Sequence, residues 1–274
     1  MINKIINVSL VIYQHAYEDV SDAINNLLCS PYLNRLIIID NDECDWVEKL
    51  NDPRIFYIKS EKNNGFGCAH NLAIKRFAHE CEFFLICNPD IYFDQEDFNL
   101  LVDFAIKNKD VGLFLPKIIY PDGTNQFGAR LLPSPINLLA RRFIPFISNI
   151  LDRKYLLKDY DTSVPCAVPN LSGCFMFFRS KPLIELGGFD ERFFMYMEDI
   201  DLSRRCVNQF GGLYYPLAQV THVHSQGSYK NKKLLKVHLK SAIQYFNKWG
   251  WVHDPMKQKL NQTCILELGK SKHI

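Results

Sequence analysis

The sequence predicts an α/β fold carried by a largely parallel sheet, and three observations predict it. Short runs rich in Val, Ile and Phe alternate with amphipathic stretches of about ten to fifteen residues, the pattern of βαβ units. Polar residues gather at the C-terminal ends of those runs, where such sheets bind ligands. The 274-residue chain is 47% apolar and 23% charged, the balance of one large or two small globular domains.

Taken in order, INVSLVIYQ (6–14) is a β-rich run ending in the polar Tyr13 and Gln14. A helix over 20–30 places Ala23, Leu27 and Leu28 on one side. Strands follow at 35–42 and 53–60, then a helix at 67–80. The stretch CEFFLICNPD (81–90) runs through buried-type residues into Asn88, Pro89 and Asp90. A proline cannot donate to a sheet ladder, so the strand stops or bulges there. A helix over 95–108 and a strand with its turn over 111–123 come next. VPNLSGCFMFFRS (168–180) reads as one strand whose Gly173 marks a close approach of backbone to something. EDIDLSRRCVNQFG (198–211) reads as a helix with a glycine stop, and the run from Leu213 to Asn231 as a strand carrying His222 and His224.

Residues 134–161 differ: Arg141, Arg142, Arg153, Lys154 and Lys158 punctuate an apolar run interrupted by Pro145. Such a segment, 136–158 at its centre, suits either a helix packed on the sheet or one lying at a membrane surface. Net charge is +2, unevenly placed. From Tyr229 onward ten lysines face two acidic residues, a balance of +8 that leaves −6 for the first 228. The expected division is therefore 1–228 as the main domain and 229–274 as a basic, aromatic, helical extension. That extension suits a phosphate-rich neighbour or simply a solvated helix face. No apolar run reaches the roughly 18 residues of a membrane span. The N-terminus leads into a strand without a signal-peptide pattern. Nine cysteines without a C-x-x-C pair argue for reduced thiols in the cytoplasm. Neither the G-x-G-x-x-G fingerprint nor a P-loop is present.

Five clusters could carry chemistry. Asp90, with Asn88 beside it, is a carboxylate at a strand end suited to a hard divalent cation; Asn-Pro-Asp is also a good turn. Asp40 in IIIDND could read a base or ribose edge, or cap an Asx-turn. NNGFGCAHN (63–71) offers Asn64, Gly65 and Asn71, with glycines that let backbone approach a ligand. Glu198 and Asp199 are adjacent in YMEDIDL. They point about 100° apart on a helix, so one could face a cleft as a general base while the other pairs with Arg204 or Arg205. An exposed acidic helix start explains them equally. His222, or His224, could complete a metal site begun by Asp90, or be satisfied by its neighbours.

The ordered run VSLVIYQ, IIIDND, NNGFGCAHNLAI, FFLICNPDIYF, LSGCFMFFRS, GGFDERFFMYMEDIDLSRR and VTHVHSQGSYKN resembles the family 2 glycosyltransferases, in their rhamnosyltransferase-like branch, over roughly residues 6–250. The resemblance implies a GT-A fold: one Rossmann-like nucleotide-binding sheet fused to an acceptor-binding half. It implies inverting transfer of a sugar, rhamnose from dTDP-rhamnose first, to a glycan or polyprenyl-diphosphate-linked acceptor in surface polysaccharide (O-antigen or capsule) synthesis. Tyr13, Asp40, Asn64, Gly65, Asn71, Asn88 and Asp90 fall at donor-binding positions. Asn88-Pro89-Asp90 matches the D-x-D motif with Asn in place of its first Asp. Asp90 and His222 match ligands of Mg²⁺ or Mn²⁺, and Asp199, with Glu198, the catalytic base. The implied setting is peripheral, at the cytoplasmic face of the membrane, with no nucleic acid partner. Two other readings remain: a nucleotidyltransferase, which would want a basic glycine-rich loop after the first strand, and a non-catalytic membrane or nucleic-acid adaptor using the basic tail.

Overall fold

In the computed structural model, residues 4–138, 151–223 and 232–270 are described; His224 and most of the 136–158 segment lie outside them. Four strands form the first half of the main sheet. They are β1 (Ile6–Ile12), β2 (Leu33–Asp40), β3 (Ile55–Lys59) and β4 (Phe83–Cys87), all parallel, in the spatial order β3-β2-β1-β4. β1 and β4 are buried throughout. That is why their sequences are continuous apolar runs rather than alternating ones. Helices α1 (Tyr17–Cys29) and α2 (Phe66–Phe77) cross over between strands. α1 buries Val20, Ala23, Ile24 and Leu27, so Ile24 takes the core position expected for Leu28. α2 docks on β1 through a buried bond between Ser9 Oγ and His70 Nδ1, 2.7 Å.

Beyond β4 the sheet becomes mixed, which the strand pattern did not predict. β5 (Ile91–Tyr92), helix α3 (Gln95–Lys107), β6 (Leu113–Ile119), β7 (Ala129–Arg130), β8 (Cys166–Ala167), β9 (Asn170–Leu171) and β10 (Phe175–Arg179) follow in sequence. Next come α4 (Ser180–Glu185), α5 (Glu198–Phe210) and β11 (Gly212–His222). The order continues β4-β10-β6-β11-β5. β10 runs antiparallel to both β4 and β6, while β11 is parallel to β6. A strand buried on both faces has the same composition whichever way it runs, so direction was not readable. The expected single strand over 168–180 is two, β9 and β10, broken by a turn at Ser172–Cys174. β11 keeps Pro216 because its pairing with β6 slips between Tyr215 and Gln219, a bulge that needs no donor there.

The C-terminal stretch contributes α6 (Lys232–Trp249) and α7 (Pro255–Lys270). Among the described residues, no helix is long and apolar enough to cross a membrane. α6 packs on the start of α5 through a second apolar cluster of Leu132, Phe193, Met197, Ile200, Tyr245 and Phe246. Behind it lies a buried ionic clamp. Arg204 is fully buried and donates to both oxygens of Asp254, at 2.9 and 2.8 Å, and to the Tyr245 hydroxyl at 2.9 Å. Its guanidinium sits 3.9 Å from the centre of the Trp249 ring. The buried Asp201 accepts from Arg205 Nε and Trp249 Nε1, each at 2.8 Å, with Lys248 Nζ at 2.6 Å. The arginines thus pair with Asp254 and Asp201, not with Glu198 or Asp199 as the sequence suggested.

Removing one partner of a buried pair leaves an uncompensated charge, which costs more than the pair contributes. Arg204→Met is therefore expected to lose about 3–5 kcal/mol in urea unfolding. A loss below about 1 kcal/mol would show that the clamp does not hold α7 to α5.

Candidate active site

Three short segments meet at the turn between β9 and β10. The carbonyl of Cys174 accepts the backbone N–H of Asn88 at 2.9 Å, fixing the residues that end β4. One residue earlier, Gly173 N–H donates to Asp199 Oδ2 at 3.0 Å. A Cβ on Gly173 would lie 2.5 Å from Asp199 Cβ. The close approach read from the sequence is therefore the approach of backbone to this carboxylate. Asp90 is held in turn by β11, through Val223 N–H to its carbonyl at 3.0 Å. Asn88-Pro89-Asp90, Ser172–Cys174, Asp199 and the end of β11 thus share one place.

His222, the last residue of β11, places Nε2 3.2 Å from Asp90 Oδ1 and 3.4 Å from Asn88 Nδ2. Burial opposes charge on its ring, but Cys174 and Asp90 outweigh that and push it up to about 10. On the far side of the ring, Gln126 Oε1 lies 2.9 Å from Nδ1. Sequence reasoning missed Gln126, because a lone glutamine after a Pro-Asp-Gly turn carries no motif.

Asp199 stands in the first turn of α5, where the helix dipole favours negative charge. The chain enters α5 through two non-glycine residues in the left-handed region, Tyr196 (φ 68°) and Met197 (φ 69°). Such conformations cost of order 1–3 kcal/mol each and persist where surrounding structure imposes them. α6 imposes this one: Ser241 Oγ donates to the Met195 carbonyl at 2.8 Å, His238 packs 4.8 Å from the Tyr196 ring, and Met197 is buried in the second cluster. Glu198 is buried, its Oε2 lacks a hydrogen-bond partner, and burial followed by the charge of Asp199 pushes its carboxyl up to about 8. Burial thus opposes ionisation of Glu198, and Asp199 is the more exposed of the two.

Of the remaining predicted residues, Tyr13 follows β1, Asp40 ends β2, Asn64 and Gly65 lie between β3 and α2, and Asn71 is in the first turns of α2. Tyr13 and Asn64 are exposed. Asp40 is fully buried at the end of β2, its Oδ1 accepting from Asp42 N–H at 2.9 Å and its Oδ2 from Cys44 N–H and the Tyr57 hydroxyl. It shapes the 41–44 turn, beside which Asn41 carries a buried oxygen without a partner. The glycines of NNGFG admit the chain itself rather than open space. Gly65 (φ 94°) has no room for a Cβ against the Phe194 carbonyl, and Gly67 packs on Phe189. Asn71 commits its amide to Phe189 N–H, the Phe189 carbonyl and Glu191, at 2.9–3.0 Å, and so latches α2 to the segment leading into α5.

Asp90 presents a carboxylate 3.2 Å, and Asn88 an amide 3.4 Å, from one imidazole nitrogen of His222. That donor set fits a divalent cation that keeps several positions for phosphate oxygens and water. No larger gathering of His, Cys, Asp or Glu able to hold a metal occurs among the described residues.

A parallel half-sheet, β3-β2-β1-β4, continued by mixed strands is the arrangement of a GT-A glycosyltransferase. A mannosyltransferase from Pyrobaculum calidifontis, PcManGT, in complex with GDP-Man and Mn²⁺, shares this fold with a TM-score of 0.57 at 14% identity, over 98% of this chain and 76% of that one. The chain belongs to glycosyl transferase family 2, which it matches over residues 10–187, and is a glycosyltransferase. It is 29% identical to the N-acetylglucosaminyl-diphospho-decaprenol L-rhamnosyltransferase of Mycobacterium tuberculosis, over 84% of this chain and 81% of that protein. It is 25% identical to rhamnosyltransferase WbbL of Escherichia coli, over 87% and 92%.

Gly173→Ala should push Asp199 aside and lower turnover about 100-fold, the usual cost of an ångström-scale misplacement, with far-UV circular dichroism unchanged; wild-type kcat would refute the contact's importance. Glu198 gives a stability signature. Its folded carboxyl holds a proton up to about pH 8, against 4.5 for the ordinary glutamate. The native state therefore binds more protons in that window, and stability falls as pH rises through it. Urea melts across the window should show a slope that Glu198→Gln flattens.

Proposed function

We propose that the protein transfers rhamnose from dTDP-rhamnose, with inversion, to a sugar on a polyprenyl diphosphate during surface polysaccharide assembly (O-antigen or capsule). The observation that carries the reading is the placing of Asp199, fixed by the Gly173 N–H, next to the Asn88–Asp90–His222 cluster. The donor nucleoside lies over the ends of β1–β3, against Tyr13, the turn built by Asp40, and Asn64 beside Gly65. Asn71 serves this site by latching α2. Asp90 and His222, with Asn88 beside them, hold Mg²⁺ or Mn²⁺. Bound there, the cation supplies positive charge where the leaving diphosphate becomes more negative.

Asp199 accepts the proton of the attacking acceptor hydroxyl. A single in-line displacement needs one such base, whereas retention through a covalent intermediate needs a second ionised carboxylate at the same carbon. Glu198 is buried and does not supply one, which supports inversion. The acceptor class follows from the mycobacterial relative, whose name specifies a diphospho-decaprenol. A membrane-surface location, at the cytoplasmic face, is supported by α6. There Lys232, Lys233, Lys236 and Lys240 are exposed together with Leu239 and Ile243, and Trp251 and Val252 are exposed just beyond. In this reading 1–228 is the transferase domain and 229–274 its extension toward the lipid.

Incubation with Mn²⁺ and a panel of nucleotide sugars, reading released dTDP, UDP or GDP, tests the donor. Release of dTDP from dTDP-rhamnose above all others is expected. Asp199→Asn should abolish transfer while dTDP affinity survives. Near-wild-type turnover of that variant would remove the base assignment.

A further inference from the structure

We infer that Gln126 is a positioning residue for the cation site: it fixes which nitrogen of His222 faces Asp90. The inference rests on the proposed reading of Asp90 and His222 as cation ligands and extends it to a residue outside the motif clusters.

Gln126 grips one histidine twice. Its Nε2 donates to the main-chain carbonyl of His222 at 2.7 Å, and its Oε1 lies 2.9 Å from the ring Nδ1. These two bonds determine each other. A carbonyl oxygen only accepts, so the amide nitrogen must be the atom facing it. The amide oxygen then faces Nδ1 and can only accept, so Nδ1 must carry a hydrogen. Turning the amide over would set oxygen against oxygen at 2.7 Å and lose the bond. Whatever charge the ring carries, Nδ1–H stays on Gln126, and Nε2 is the nitrogen aimed at Asp90 Oδ1 and Asn88. A histidine that binds a cation through one nitrogen commonly donates its other N–H to such a partner, which sets both tautomer and ring angle.

Gln126 is itself built in. Its backbone N–H donates to the Ile118 carbonyl at 3.0 Å, and Asn125 bridges to Ile119, so both residues are pinned to the end of β6. The next residue, Phe127, is left-handed (φ 50°) and donates its N–H to Asn125 Oδ1 at 2.8 Å. β6 and β11 are neighbours in the sheet, so the side chain crosses one strand spacing to reach the residue that ends β11. A half-buried glutamine whose whole amide serves one neighbouring residue, at the mouth of the site, has a place in holding that residue's ring.

The test uses the full-length protein with dTDP and Mn²⁺. Mn²⁺ affinity is read by the loss of the free-ion electron paramagnetic resonance signal, and dTDP affinity without metal by calorimetry. Gln126→Ala should weaken Mn²⁺ binding about 10- to 100-fold and leave metal-free dTDP affinity within about twofold. Gln126→Glu keeps an acceptor opposite Nδ1 while losing the donor to the His222 carbonyl, and should recover part of the Mn²⁺ affinity, which a role confined to the carbonyl bond would not predict. Mn²⁺ affinity of Gln126→Ala within twofold of wild type would overturn the positioning role. So would equal losses in the Ala and Glu variants. If the wild type itself binds no Mn²⁺ with dTDP while Asp199→Asn still abolishes transfer, the cation reading of Asp90 and His222 fails, and the role of Gln126 fails with it.

Discussion

The site depends on one backbone N–H. Gly173 sits between two strands that the sequence alone joins into one, and it must be glycine because Asp199 occupies the space of a side chain. Its neighbour Cys174 fixes Asn88, and Gly173 itself fixes Asp199. Two segments more than 100 residues apart in sequence are thus brought together by the main chain of two adjacent residues. Peptide groups are well suited to this. They are rigid, and they carry no side-chain entropy.

The second constraint comes from the C-terminal helices. α5 begins in an unfavourable backbone conformation, and most of what holds it there belongs to α6: a hydroxyl on the Met195 carbonyl, an aromatic contact on Tyr196 and an apolar socket for Met197. The Arg204–Asp254 and Lys248–Asp201 pairs secure α6 and α7 against the other side of α5. The lysines that give this region its basic character mostly face outward, while Lys248 turns inward to complete the clamp. One helix therefore carries two different surfaces: a charged, partly apolar outer face, and an inner face that shapes the entry into α5.

Much of this was legible in the sequence. The parallel half of the sheet followed from apolar runs spaced by amphipathic helices, and the cluster positions followed from the rule that ligands bind at strand ends. Gly173 was visible as a point of close approach, although what it approaches was not. The antiparallel course of β10 could not be read, since a doubly buried strand has no sidedness. Arg205 does pair locally, but with Asp201 one helical turn earlier, whereas Arg204 is paired from Asp254, fifty residues away, which helical spacing could not suggest. Gln126 left no trace, because its role lies in the two directions its amide faces rather than in its neighbours along the chain.

The contact between Gly65 and Phe194 joins the loop after β3 to the segment that precedes Tyr196. Phe66 N–H donates to the Phe194 carbonyl at 2.9 Å, and no side chain fits at position 65. The two loops meet along a single seam of main chain. A shift of the first loop therefore bears directly on the segment leading into α5, with no side chain between them to absorb it.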